Sequence, residues 1–190
     1  MNKNLVNSVN KVTAYIENEL KKFGFGGCCL IAARLGREAL IEEGFEHVNV
    51  VKGHHAAGIN KGPYGLISSA HIAEMDYSIG NLLHHYWLDV QGRVVDFSHL
   101  RLHQKVKELD QESGTPSGPI KINTRPLVSK SLIKSRSALK NYCEIGYYYE
   151  PIACGYNDAY STDVSIAIAL FNANPANDAF QEQLNLALNQ

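Results

Sequence analysis

The stretch HHYWLDVQGRVVDFS, His84–Ser98, carries two adjacent histidines, two β-prone runs that meet at Gln91-Gly92, and an aspartate at position 96. A polar residue followed by glycine between such runs marks a two-residue hairpin turn. That turn would pair Val90 with Arg93, Asp89 with Val94, Trp87 with Asp96 and His85 with Ser98. Side chains alternate between the two faces of a strand. One face then carries Tyr86, Leu88, Val90, Val95 and Phe97, is apolar, and is expected on the core. The other carries His85, Trp87, Asp89, Val94, Asp96 and Ser98. His85 and Asp96 are diagonal neighbours on that second, more polar face, near enough for an imidazole to reach a carboxylate. His84 falls on the apolar side. A three-residue loop would reverse this parity, so the turn length decides which histidine meets Asp96.

Upstream of the hairpin, Leu5, Val9, Val12, Tyr15, Ile16 and Leu20 recur at helical spacing, which predicts an amphipathic helix over about Asn4 to Lys22. Gly24, Gly26 and Gly27 end it. CCLIAARLGREALIEEG predicts a second, more buried helix with Gly44 as its C-terminal cap. HVNVVKG, His47–Gly53, reads as a strand, and Gly58–Gly80 as a long glycine-rich loop. Downstream, Ser98 is expected to cap a helix through Leu109, and SGTPSGP, Ser113–Pro119, reads as a linker. Ile145–Ile152 returns to the sheet, and Ser161–Phe171 and Pro175–Leu188 close the chain as helices. Helices and strands that do not alternate regularly predict an α+β fold with an antiparallel sheet. The expectation is a single domain over residues 1–190, with about 110–190 left without an assigned role.

The loop before the second helix places a thiol where glycines give way to a helix start. A thiolate is the nucleophile, and a helix N-terminus favours negative charge. Cysteine, histidine and aspartate together supply a nucleophile, its base and the group that orients the base. The plain alternative is that Cys28 and Cys29 are both small core residues. A phosphate cradle at GFGG is disfavoured, because no Lys-Ser/Thr follows the glycines.

Taken in order, a cysteine at a helix start, a strand, and then H-x-W-x-(D/E)-V-x-G-x-x-x-D-x-(S/T) from His85 to Ser98 resemble the transglutaminase-like branch of the papain-like cysteine enzymes. The family's helix often runs from its cysteine to a glycine about fifteen residues on, and Cys29 to Gly44 matches that spacing where Cys28 does not. The resemblance covers about Gly27 to Ser98. It implies a papain-like fold in which an N-terminal helix bearing the cysteine packs on an antiparallel sheet. It also implies a catalytic site of Cys29 as nucleophile, His85 as base and Asp96 as orienting acid. The chain departs from the pattern at Tyr86, where a small residue is usual, and at Phe97, where proline is usual. The implied activity is thiol-dependent acyl chemistry on a peptide or protein amide, as a protease, amidase, deamidase or acyltransferase, with no cofactor. The competing expectation is a non-catalytic binding module that keeps the fold.

Composition narrows the partners. The apolar fraction is 45% and the net charge −1, which suits a globular core and gives no broad pull toward nucleic acid or anionic membrane. The N-terminus lacks an apolar signal region. The four cysteines are then expected as thiols in a cytoplasmic protein. His54, His55, His71 and His84 do not sit at zinc-site spacing to Cys28 and Cys29, and His99 and His103 suit only weak surface metal binding, so no metal is expected. The aromatic run at YCEIGYYYEP lacks interleaved basic residues and reads as a packed strand.

Overall fold

Gln91 and Gly92 both take left-handed backbone conformations, with φ of 55° and 72°, as a mirror-image two-residue hairpin turn requires. In this computed structural model, which describes residues 4–22, 29–62, 65–68, 85–140 and 144–152, the turn joins β3 (His85–Val90) to β4 (Arg93–Val95). The register is Val90 opposite Arg93, Asp89 opposite Val94 and Leu88 opposite Val95, as the sequence predicts. Asp89 holds the turn from within, its Oδ1 accepting the Gly92 N–H at 2.8 Å.

The fold is α+β, with helices packed on an antiparallel sheet. Helix α1 (Leu5–Lys21) starts at Asn4, whose side chain accepts from the N–H groups of Val6 and Asn7, two donors that have no partner within the helix. Its buried stripe is Leu5, Val9, Val12, Ile16 and Leu20, each contributing roughly 1.5–3 kcal/mol by burial. Tyr15, expected on that stripe, stands outside it and is 53% exposed, because at 100° per residue it falls between the stripe and the solvent face. Helix α2 (Cys29–Glu42) ends as the sequence predicts. Gly44, at φ 84°, donates to the Ile41 carbonyl and Phe45 donates to that of Leu40, the paired closure of a Schellman motif.

Strand β1 (Val48–Gly58) is the centre of the sheet, pairing antiparallel with β2 (Leu66–Ser68), β3 and β5 (Gly146–Pro151). It runs five residues beyond Gly53, where the sequence reading ends it. Gly53 is no strand end but a close-packed point. A Cβ there would meet the Glu150 carbonyl and approach the Trp87 ring to 2.6 Å. β2 lies within the stretch read as loop, and residues 63–64 and 69–84 fall outside the described residues.

The second face of the hairpin differs from expectation. Tyr86, Leu88, Val90, Val95 and Phe97 pack with α1 and α2 as predicted. The face read as polar is also buried: Trp87 is 3% exposed, His85 8% and Asp96 1%. Its cover comes from outside the hairpin. Leu102, Val106, Ile122, Val128 and Tyr147 form a second core with Ala57 of β1 and Ile59 just beyond it, and Val94 of the hairpin packs against this core.

After β4 the chain enters a 3-10 turn (Phe97–Arg101) and then α3 (Leu102–Ser113). The cap is Asp96, not Ser98 as expected. Gly114 closes α3 at φ 67°. The segment read as a linker is tied down, with Ser117 N–H and Oγ donating to Asp110 and the Asn60 amide donating to the Ser117 carbonyl. A second 3-10 turn (Lys130–Leu132) and α4 (Arg136–Lys140) lead to β5, near the Ile145–Ile152 expected. The chain divides after Ile152. Residues 153–190, with the two closing helices expected there, are outside the described residues. Among the described residues, no helix is long and apolar enough to cross a membrane.

Gly36 of α2 lies against Phe97 and approaches the Leu88 side chain. Gly36→Ala adds a methyl group that collides with the Phe97 ring. We expect a net loss of up to about 2 kcal/mol by urea unfolding, because overpacking costs about 1–3 kcal/mol against the roughly 1 kcal/mol of helix propensity gained.

Candidate functional site

One face of the sheet gathers the polar side chains. Gly53 pairs with His85, and His55, two residues further along β1, pairs with Tyr149 of β5. Residues two apart on a strand share a face, so His85, His55, Tyr147 and Tyr149 stand on one side. Asp96 follows the last residue of β4 and meets this face from the head of the 3-10 turn. Its backbone N–H donates to Pro126 O at 2.7 Å, and its Oδ1 accepts from Ser98 N at 3.0 Å and Ser98 Oγ at 2.6 Å. Cys29 is the first residue of α2.

These elements bring the three residues singled out in the sequence together. His85 Nε2 lies 2.6 Å from Asp96 Oδ2. The other side of the imidazole meets the Cys29 thiol in a hydrogen bond, and the Tyr86 backbone N–H also donates to that sulfur. With Nε2 engaged by Asp96, Nδ1 is the nitrogen left for Cys29. Cys28, Cys143, Cys154, His71 and His84 are outside the described residues.

Burial would by itself push the Cys29 thiol up and the His85 imidazole down, yet both shifts run the other way. For Cys29, the His85 hydrogen bond and charge overcome desolvation and lower the pKa. For His85, desolvation is overcome by the charge and hydrogen bond of Asp96, with help from Cys29, and the pKa is raised to about 10. Asp96 is likewise held well below the usual carboxylate range, desolvation being outweighed by His85 and His99. The arrangement favours a thiolate beside an imidazolium, backed by a carboxylate.

Three residues that the sequence reading did not place here complete the site. His55 stacks on His85 with ring centroids 4.1 Å apart and planes at 22°. Its pKa is lowered well below normal by burial and then by the charge of His85. His99, read as a surface residue, is 2% exposed, and its Nε2 lies 3.3 Å from Asp96 Oδ2. The Tyr149 hydroxyl donates to Asp96 Oδ2 at 3.0 Å and lies 3.0 Å from His99 Nε2. A signal for His99 was present, since it follows Asp96 by three residues in a turn. None existed for His55 without the true length of β1.

His55, His85 and Asp96 also hold their donor atoms within 4.8 Å of one another, near enough to consider a metal ion. The geometry instead suits a shared proton. The 2.6 Å between His85 Nε2 and Asp96 Oδ2 is shorter than the roughly 3.3 Å between two donors on one tetrahedral zinc. Stacked imidazoles also aim their in-plane lone pairs alongside each other rather than at one point.

The opposed shifts of Cys29 and His85 give a proton count that stability can read. Above about pH 6.5 the unfolded histidine loses its proton while folded His85 keeps its own, and the lowered thiol of Cys29 works in the opposite sense by giving up a proton that the unfolded thiol retains. The two shifts therefore offset each other, and the pair adds less slope to stability there than His85 alone would. From about 8.5 to about 10 the unfolded pair has lost its proton, so folding takes one up and stability falls as pH rises. In Cys29→Ser only the raised histidine remains. Its contribution is full below about 6.5 and is lost as pH rises through the raised value that Asp96 still gives it, at up to about 1.4 kcal/mol per pH unit. Urea unfolding of the two proteins across pH 6–10 should show their stability curves diverging between 6.5 and 8.5.

Comparison of the chain with protein-family models, with curated proteins and with solved structures returns no match in any of the three.

Proposed function

We propose that this protein is a cysteine enzyme of transglutaminase-like, papain-like type that performs acyl chemistry on an amide or peptide. The reading is carried by one observation: the Cys29 thiol, the His85 ring and the Asp96 carboxylate follow one another by hydrogen bonds in a buried setting. A buried, merely structural cysteine is expected to have a raised pKa, whereas Cys29 is lowered.

In this reading the Cys29 thiolate attacks the carbonyl carbon, and the C=O electron pair moves to oxygen. The Cys29 backbone N–H, at the start of α2, is the donor proposed for that oxyanion. Collapse of the tetrahedral adduct breaks the C–N bond while the His85 imidazolium gives its proton to the leaving amine. The thioester left on Cys29 is then attacked by water or by a second amine, whose proton returns to His85, and the C–S bond breaks to release the acyl product and restore the Cys29 thiolate. Asp96 holds the imidazole in orientation throughout. Water would make the protein a protease, amidase or deamidase, and an amine an acyltransferase. A thiol that must stay reduced fits a cytoplasmic setting.

The test is alkylation of Cys29 by iodoacetamide as a function of pH, with peptide mapping to locate the label. Rapid labelling of Cys29 at pH 6 is expected, where an ordinary thiol is almost wholly protonated. His85→Ala should lower that rate by roughly one to two orders of magnitude, because the thiolate loses its cationic partner. Asp96→Asn should lower it less, and His84→Ala should leave it in place. Slow labelling of Cys29 in the wild-type protein would count against an enzyme and for a binding module. Collapse of the rate in His84→Ala alone would transfer the base to His84.

A further inference from the structure

The imidazole of His85 is not the only donor on the oxygen that orients it. Asp96 is 1% exposed, and an ionised carboxylate offers about four lone-pair sites. Ser98 N–H and Oγ fill Oδ1. His85 Nε2 and the Tyr149 hydroxyl share Oδ2, at 2.6 Å and 3.0 Å. Two donors on one oxygen compete for its charge, so each weakens the other's bond.

The direction of the Tyr149 proton matters, because a hydroxyl has only one to give. His99 Nε2 lies 3.0 Å from the same hydroxyl oxygen. Sending the Tyr149 proton to that nitrogen would leave two oxygens facing each other at 3.0 Å. The negative charge of Asp96 draws the proton to its own oxygen instead, since a hydrogen bond to an ionised acceptor is the stronger one. His99 is held beside the hydroxyl by stacking on Tyr147, with centroids 4.0 Å apart and planes at 14°, and its Nδ1 faces the Arg125 carbonyl at 3.4 Å. Tyr149 is fixed by its pairing with His55 on β1.

We propose that Tyr149 is a positioning residue that sets how strongly Asp96 holds the His85 imidazolium. The role rests on the reading of Cys29, His85 and Asp96 given above. Its chemical sense is moderation. An imidazolium bound too tightly by its carboxylate is a poor proton donor to a leaving amine. A carboxylate already partly satisfied by Tyr149 orients the ring without trapping its proton.

Tyr149→Phe removes one hydroxyl and keeps the ring. Tyr147→Phe is the control for loss of a buried hydroxyl elsewhere, because the Tyr147 hydroxyl donates to the Asn123 carbonyl and not to Asp96. Two measurements are made on each full-length protein: the proton resonance of His85 Nε2–H by nuclear magnetic resonance, and Cys29 alkylation by iodoacetamide at pH 6. In Tyr149→Phe the resonance should move downfield, as the His85–Asp96 bond strengthens. The pH at which His85 loses its proton should rise by on the order of one unit. In Tyr147→Phe both should stay at their wild-type values. An unmoved resonance in Tyr149→Phe, an upfield shift, or equal shifts in the two variants would overturn the role while leaving the enzyme reading intact. Slow alkylation of the wild-type protein at pH 6 would overturn the enzyme reading, and this role with it.

Discussion

A single carboxylate organises this protein. Asp96 is charged and almost fully buried, and taking a carboxylate out of water costs several kcal/mol unless every lone pair finds a donor. Here each one does. Ser98 holds one oxygen, while His85 and Tyr149 hold the other. These partners come from the end of the β4 hairpin, the start of β3 and the distant β5, so satisfying the charge fixes three parts of the chain against one another. The same bonds cap the 3-10 turn that leads into α3. A local demand of electrostatics thus sets both the path of the backbone and the orientation of the imidazole.

The sheet that carries this arrangement packs against α1 and α2 on one side and against α3 and the segment with Ile122 and Val128 on the other. Close approach between its layers depends on missing side chains. Gly36 lets α2 settle on Phe97, and Gly53 lets β1 lie against Trp87 and the Glu150 carbonyl. Phe97 follows Asp96 directly, so the fit of α2 at Gly36 and the placement of the carboxylate are parts of one contact. The helix that bears Cys29 is located by the same residues that locate its partner.

Much of this was legible in the sequence where the chemistry is local. Gln91-Gly92 dictated the turn, the turn dictated the parity, and parity put His85 rather than its neighbour beside Asp96. The Asn4 cap, the stripe of α1 and the Gly44 closure of α2 follow the same logic of short-range backbone needs. What escaped was set by contacts far apart in sequence. Gly53 looked like the end of a strand because its purpose is to accommodate Glu150, about a hundred residues away. His55 was hidden by that misjudged strand end. The face of Trp87 looked polar because its partners lie far off in sequence, Tyr149 against Trp87 itself and the cluster of Ile122 and Val128 against Val94. No pattern within the hairpin announces such a cover.

β1 pairs with strands on both sides of it in the sequence of assembly, β3 soon after it and β5 only at residues 146–151. Contacts between distant segments are slow to form, because the loop entropy is spent before the contact stabilises anything. A chain synthesised only through Ser98 already holds Cys29, His85 and Asp96, yet nothing from β5 shields the carboxylate or completes its set of donors. The donor set of Asp96 is therefore a property of the whole fold through β5. During synthesis the carboxylate lacks its Tyr149 partner until that strand has docked, so the buried charge reaches its final set of bonds only when the sheet is complete.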